Sequence, residues 1–371
     1  MTAHPARASS SRATTHGGLT LAQAQIEVAA VAADLCAQPR RVGGMSDAQT
    51  CAFFLISAAS VDWVEAAVAH PAIRTVDVAI EHMATFAAIE AARATGRLQI
   101  VICGSGPGTL GHLAAVPAAR AQGASVLMLV PRTPPHLAGG PSIQESSWEQ
   151  PLHEVGANLF DDSIAMEHVR QMTRIAKRLR HLFARPQGAI VRLSVPTSLL
   201  RMPCPELPDL RLADIRLPAP DARTVADVVA LLEGPGGPPA FMFGSGAVAF
   251  ADRLGPLVGR FGAVHFTSPT ATAILPGSLG VVGNAAHGDV PARLRELDVR
   301  CVVVLGSRLG TASGGDEPGL LPPGSHVVHV DVDPRVIAGN AVATWNSKVT
   351  FVPSDIGTFI DAITSYGQGA T

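Results

Sequence analysis

Residues 75–113, TVDVAIEHMATFAAIEAARATGRLQIVICGSGPGTLGHL, constrain the fold more than any other stretch. TVDVAI has the β-branched, apolar composition of a buried strand, and Glu81 follows it directly. Met83, Phe86, Ala87, Ile89, Ala91 and Ala92 supply the apolar positions of a small-residue helix that Gly96 ends. LQIVIC predicts a second strand, and Gly104-Ser105-Gly106-Pro107-Gly108-Thr109 a turn into a second helix. A carboxylate and a glycine turn thus stand at the carboxyl ends of two strands, the edge where open α/β sheets take their ligands.

A chain of 371 residues has room for two domains with a core each. Only 4 % of residues are aromatic while alanine and glycine abound, so packing must rest on small side chains. A net charge of −2 argues against a nucleic-acid partner, which calls for a basic patch. No apolar run approaches the ~18 residues that span a bilayer. The basic N-terminus has no apolar stretch behind it, unlike a signal peptide. Cys36, Cys51, Cys103, Cys204 and Cys301 are odd in number and lack CxxC spacing, as expected of reduced thiols in the cytoplasm.

The rest of the chain repeats the alternation of strand and helix. Residues 1–20 read as a disordered tail. A first domain over 21–200 begins with a helix at 21–38. The strand Phe53–Ile56 then leads into a glycine-free turn, Ser57-Ala58-Ala59-Ser60. A helix is expected at Ala114–Gln122, a strand at Ala124–Val130, a helix at Asp161–Arg185 and a strand at 189–196. Residues 201–223 are a proline-rich linker. A second domain over 224–371 shows a helix at Val225–Leu232 and a strand at Ala240–Phe243. Gly244-Ser245-Gly246 then turns into a helix at Ala247–Phe261. Further strands are expected at Ala263–Thr267, Cys301–Gly306 and His326–Val332. The expected class is α/β: two three-layer α/β/α domains with mainly parallel sheets.

Three motifs occur in order: Glu81, then Ala92-Arg93-Ala94-Thr95-Gly96, then Ser105-Gly106-Pro107-Gly108. Together they resemble the pyrimidine-binding domain of thiamine-diphosphate enzymes of the acetolactate synthase, pyruvate oxidase and decarboxylase type. The second domain resembles the middle domain of those enzymes in its glycine turn, in Ala285-Ala286-His287-Gly288, in Gly306-Ser307-Arg308 and in Asp331-Val332-Asp333-Pro334. In that family the glutamate hydrogen-bonds N1′ of the aminopyrimidine and promotes the tautomer that deprotonates the thiazolium carbon. The resemblance therefore makes Glu81 the catalytic candidate, suited by its apolar neighbours Ile80, Met83 and Ala84. Read without the flanking motifs, Glu81 is a first-turn carboxylate favoured by the helix dipole. Ser105, Gly106, Pro107, Gly108, His112 and Gln144 are the candidate cofactor-binding residues. Gln144 lies in Ile143-Gln144-Glu145, a partial match to a family Phe-Gln-Glu. His82 stands after the glutamate, where the family has its histidine before it, and reads as a surface residue. Ser57–Ser60 replaces a family Gly-Pro-Gly-Gly turn. Arg308, Asp331 and Asp333 resemble positions that hold FAD in acetolactate synthases, but many relatives lack the flavin and capping is the plainer role for Asp333.

The family's third domain, which binds the diphosphate through Mg²⁺, is marked by Gly-Asp-Gly. The only Gly-Asp pairs here are Gly288-Asp289 and Gly315-Asp316, and neither is followed by glycine. No Walker loop occurs, and Gly244-x-Gly246-x-x-Ala249 lacks the acidic residue ~20 positions on that nicotinamide binding calls for. The resemblance then implies one subunit of a split enzyme, acting on a 2-oxo acid by decarboxylation or acyloin-forming carboligation. A separate diphosphate-binding subunit would hold the Mg²⁺, the two chains pairing as a heterotetramer. The alternative is a non-catalytic regulatory or scaffold subunit that has kept the fold.

Overall fold

The structure, a computed structural model, describes residues 18–37, 49–137, 159–212, 215–283, 288–310, 313, 319–333, 336 and 347–367. In the first domain α1 (Leu21–Leu35) starts from a capping box: Thr20 Oγ1 accepts from Gln23 N, and Gln23 Oε1 accepts from Thr20 N. There follow β1 (Thr50–Phe54), α2 (Val61–Ala69), β2 (Ile73–Asp77), α3 (Glu81–Thr95), β3 (Gln99–Ile102), α4 (Pro107–Leu113) and α5 (Val116–Gln122). β4 (Val126–Arg132), β5 (Asp162–Ala165), α6 (Met172–Phe183) and β6 (Ile190–Pro196) complete the domain.

These six strands pair in the order β2-β1-β3-β4-β6-β5, every pair parallel. A parallel sheet must be covered on both faces, and strand alternation divides the side chains between two cores. Ile100 and Ile102 pack with Leu127, Leu193, Trp63 and Ile26 on the α1, α2 and α6 side. Val101 and Cys103 pack with Met128, Ala84, Ala88 and Ile89 on the α3 and α5 side. Trp63 is fully buried, and its Nε1 donates to Gln25 Oε1 at 2.6 Å. Gln25 Nε2 in turn reaches Met166 Sδ at 3.6 Å, so the amide is partnered at both ends inside the core.

The second domain runs α7 (Ala222–Leu232), β7 (Ala240–Phe243), α8 (Ala251–Arg260), β8 (Val264–Thr267), α9 (Val290–Glu296) and β9 (Cys301–Leu305). It ends with β10 (His326–Asp331), β11 (Lys348–Pro353) and α10 (Ile356–Ser365). Its sheet order is β11-β10-β9-β7-β8, again parallel throughout. The 201–223 segment between the domains is tied down at both ends. Leu210 is buried in the first core, while Asp355 N (2.9 Å) and Thr358 Oγ1 (2.6 Å) donate to Pro218 O.

Four expectations are corrected. TVDVAI is not a buried strand: only Ile73–Asp77 is extended, and β2 is an edge strand with Arg74 and Asp77 exposed. The helix expected at Asp161–Arg185 begins at Met172, because residues 162–165 are drawn into the sheet beside β6. The helix expected from Ala247 opens as a 3₁₀ segment, Ser245–Phe250, and becomes α-helical at Ala251. The helix expected at Ala114–Gln122 starts only at Val116, with Pro117 in its first turn. Of the tail expected at 1–20, residues 1–17 lie outside the described residues, as do Gln144 and the 285–287 portion of the Ala-Ala-His-Gly motif, while Leu19 and Thr20 are held by Cys204 N and by the α1 capping box.

In the second domain, Gly306 has φ 69°, and a Cβ there would stand 2.4 Å from Ala247 N. Gly306→Ala is expected to lower stability by about 2 kcal/mol or more through strain and displaced backbone. Gly259→Ala, in helical α8 with open space around it, should be neutral or add up to ~1 kcal/mol. Urea midpoints of the two variants check this.

Candidate active site

β1 lies between β2 and β3, so the chain leaves it in one direction and returns on the other side. The crevice between the ends of β1 and β3 is therefore a topological switch point, where open α/β sheets bind ligands. Three loops meet there. After β2, Val78 N still donates to Phe54 O (2.9 Å), and Ile80 is the extended N-cap of α3, which makes Glu81 its first helical residue. Ala92-Arg93-Ala94-Thr95-Gly96 closes the same helix, with Gly96 at φ 65° and Thr95 Oγ1 donating to Ala91 O (2.6 Å).

After β3, Gly106 takes φ 55°, ψ −115°, a conformation open to glycine. Gly108 N donates to Ser105 O (3.2 Å) and Thr109 Oγ1 to Gly104 O (2.8 Å), which fixes the turn. α4 then crosses the first turn of α3. A methyl group on Gly108 would lie 3.4 Å from Glu81 Oε1, and one on Gly111 would lie 3.4 Å from Glu81 Cβ. Two glycines one turn apart thus receive the Glu81 side chain. The third loop follows β1: Ser57 Oγ is 3.9 Å from the Cβ position of Gly104. Ser57 Oγ and Ser60 Oγ are hydrogen-bonded at 2.9 Å, and Ser60 N donates to Ser57 O (3.1 Å), so this turn closes without glycine.

The residues around Glu81 differ in environment. Cys103 is completely buried; burial pushes its thiol up, Arg192 opposes this, and the Glu81 charge adds to it. It is a packing residue rather than a nucleophile. His112 is also completely buried, with Nδ1 2.9 Å from Thr85 Oγ1. Burial, and then the charge of His82, pull its pKa down to about 4, so its imidazole is neutral at pH 7. Ser105, Gly106 and Gly108 are buried, while Pro107 is exposed at the first position of α4. The dry setting expected for Glu81 is supplied on one side only. Glu81 is half-buried, and Ile80 (47 % exposed), Met83 (52 %) and Phe86 (42 %) face outward on α3. Ile56, just beyond β1, is 59 % exposed. Thr85 and Gly111 escaped the sequence reading; only the crossing of α3 and α4 brings them to the site.

The second domain has the equivalent switch point between β7 and β9, but there the two loops touch. Gly246 N donates to Gly306 O (3.0 Å), and a Cβ on Gly244 would meet Gly306 O at 2.3 Å. The relaxed dinucleotide fingerprint is therefore used for loop packing. Arg308 Nη2 donates to Arg120 O across the domain seam (3.1 Å), beside a cavity of about 530 Å³ that Arg185 and Asp333 also line. Asp331 Oδ1 accepts from Asp333 N (2.8 Å).

Residues 45–156 match the family described as thiamine pyrophosphate enzyme, N-terminal TPP binding domain. Acetolactate synthase 1 of Zea mays is 24 % identical over 263 residues, 69 % of this chain and 40 % of its own length. Sulfoacetaldehyde acetyltransferase of Rhodobacter capsulatus is 27 % identical over 279 residues, 71 % of this chain and 44 % of its own. Among solved structures, a thiamine diphosphate-dependent 4-hydroxybenzoylformate decarboxylase of Rhodococcus jostii superposes with TM-score 0.72 at 16 % identity, covering 94 % of this chain and 62 % of that one. A putative thiamin diphosphate-dependent enzyme of Mycobacterium smegmatis gives 0.71 at 15 % identity with the same coverage. Over about seven tenths of its length the chain is similar to acetolactate synthases and a sulfoacetaldehyde acetyltransferase, and it spans about two fifths of these curated relatives' length.

The buried imidazole gives a pH prediction. The folded pKa of His112, about 4, lies below the ~6.5 of a free imidazole, so between these values the unfolded chain binds the extra proton. The His112 contribution to stability is full above pH 6.5 and is lost as pH falls toward 4, by roughly 3 kcal/mol. His265, His326 and His329 are also lowered by burial, so His112→Leu should flatten only part of the slope. Urea midpoints between pH 7.5 and 4.5 measure it.

Proposed function

We propose that this chain contributes the pyrimidine-side half of the active site of a thiamine-diphosphate enzyme that decarboxylates a 2-oxo acid, joins it to a carbonyl acceptor, or both. The observation that carries the reading is the Glu81 carboxyl set against Gly108 at the β1/β3 switch point. The residues present suit the coenzyme. Gly108 leaves open the space that a Cβ would fill beside Oε1, the carboxyl can share a proton with a ring nitrogen, and Ile80 and Met83 offer apolar surface. When bound, thiamine diphosphate supplies the carbanion-stabilising chemistry. Glu81 Oε1 would hold and return a proton for a ring nitrogen, Gly106 and Gly108 would admit the ring, and α4 would keep water from one side of the carboxylate.

Among the described residues no group of three or more His, Cys, Asp or Glu side chains could hold a metal ion. The reading accordingly gives Mg²⁺ and the diphosphate to a domain outside the described residues. A separate subunit, paired as a heterotetramer, is the arrangement we favour. Ile80, Met83 and Phe86 are the surface on which that domain would close. Flavin is left out of the reading because Arg308 and Asp331 have partners within the chain. Five free cysteines suit a reducing cytoplasm. No helix among the described residues is long and apolar enough to cross a membrane.

A regulatory or scaffold subunit is the second reading, favoured by the Ser57–Ser60 turn, whose hydroxyls are turned on each other. Two variants separate the readings. In the enzyme assembled with its diphosphate-binding domain, Glu81→Gln should abolish turnover, ~10²-fold or more, with assembly intact; an unchanged rate would favour the scaffold. Gly108→Ala meets only contacts of 3.4 Å and longer, so it should fold normally and gain up to ~1 kcal/mol of helix stability. It should nonetheless weaken thiamine diphosphate binding, as read by calorimetry with Mg²⁺.

A further inference from the structure

We propose that His112 is a positioning residue: its hydrogen bond to Thr85 sets the depth at which the Glu81 carboxyl rests against α4. The proposal rests on the reading of Glu81 given above. At the site itself α4 presents glycine to α3: Gly108 and Gly111 meet Glu81. Such surfaces allow close approach but carry no directional contact, so they fix neither register nor depth. Thr85 lies one turn after Glu81, and His112 lies one turn after Gly108. The Oγ1–Nδ1 bond at 2.9 Å thus joins the two helices one turn behind the place where Glu81 Oε1 meets Gly108. At its other end α4 is held by Thr109 Oγ1 on Gly104 O. With both ends fixed, the helix carrying Gly108 cannot slide along the one carrying Glu81.

The choice of histidine supports this. Thr85 and His112 are both 0 % exposed, and His112 Nε2 has no hydrogen-bond partner. A buried imidazole with one nitrogen unmet is less favourable than an apolar side chain of the same bulk. Packing alone therefore does not explain a histidine here. A directional bond at one defined point does, because buried polar pairs select one arrangement among several that apolar contact would allow. His112 thus acts behind the site rather than as the cofactor contact expected from the sequence.

The test uses exchange of the thiazolium C2 proton of thiamine diphosphate in D₂O, measured by quench and NMR with Mg²⁺ in the enzyme assembled with its diphosphate-binding domain. No substrate is needed. Thr85→Val keeps the shape and loses the hydroxyl; Thr85→Ser keeps the hydroxyl; His112→Asn keeps a polar atom near the Nδ1 position. Thr85→Val should slow the exchange ~10- to 100-fold while thiamine diphosphate still binds, and Thr85→Ser and His112→Asn should recover most of the rate. In the chain without coenzyme, the ¹³C-carboxyl titration of Glu81 should move in Thr85→Val and stay in place in Thr85→Ser. A Thr85→Val enzyme that keeps both the exchange rate and the Glu81 titration would overturn the proposal, whatever its melting temperature. Glu81→Gln is the control. If it also keeps the exchange rate, the reading of Glu81 itself fails, and the positioning role with it.

Discussion

Parallel pairing is the constraint from which the rest of this structure follows. All nine strand pairs among the described residues are parallel. Each strand must then be joined to the next by a crossover that returns over one face, and both faces must be buried. Hence the strands β3, β4, β6, β7 and β9 are buried almost throughout, and each side chain belongs to one core or the other by its parity. The same constraint gathers the loops that carry chemistry at the carboxyl edge. In each domain the second strand in sequence lies outside the first, so each has one switch point, β1/β3 and β7/β9.

The two switch points are built from the same residue type and differ in outcome. At β7/β9, Gly244, Gly246 and Gly306 bring backbone onto backbone, and any Cβ there would collide at under 3 Å. Glycine is required at these positions for the fold itself. At β1/β3, Gly108 and Gly111 face a side chain instead, and the contacts a Cβ would make begin at 3.4 Å. Folding alone tolerates alanine there, and within a helix alanine is the better residue. Under the proposed reading, Gly108 is explained by what must approach Glu81 rather than by what must pack. On that reading the first crevice accommodates a ligand, whereas the second holds its own loops together.

Much of this was legible in the sequence, for physical reasons. Short β-branched apolar runs such as LQIVIC and CVVVLG, bounded by glycine, favour buried strands, Gly96 after Ala-Arg-Ala-Thr ends a helix, and strands separated by helical segments imply parallel sheets. The carboxyl-edge position of Glu81 and of the glycine turn followed from element order alone. Strand order did not, because periodicity says nothing about which strand is a neighbour. TVDVAI was misread for that reason: its composition suits a buried strand, but β2 is at the edge. Residues 162–165 have no strand signature of their own and are extended because β6 offers a free edge. His112 stood out in the sequence, but its pairing with Thr85 was invisible, because only the crossing of α3 over α4 gives their spacing a meaning.

The exposure around Glu81 bears on how complete the site is. Single exposed apolar residues are ordinary on a protein surface, but Ile80, Met83 and Phe86 follow one another on one helix, and Ile56 stands beyond the adjacent strand. A solvated carboxylate would be served as well by polar neighbours. An apolar rim around a half-buried carboxylate raises its basicity only when something covers the rim and excludes water. The chain's own helices cover the α4 side, and nothing described covers the other. Under the proposed reading, the same closure that brings the diphosphate and its metal also dries the carboxylate. The proton-sharing chemistry of Glu81 would then switch on with assembly rather than with folding.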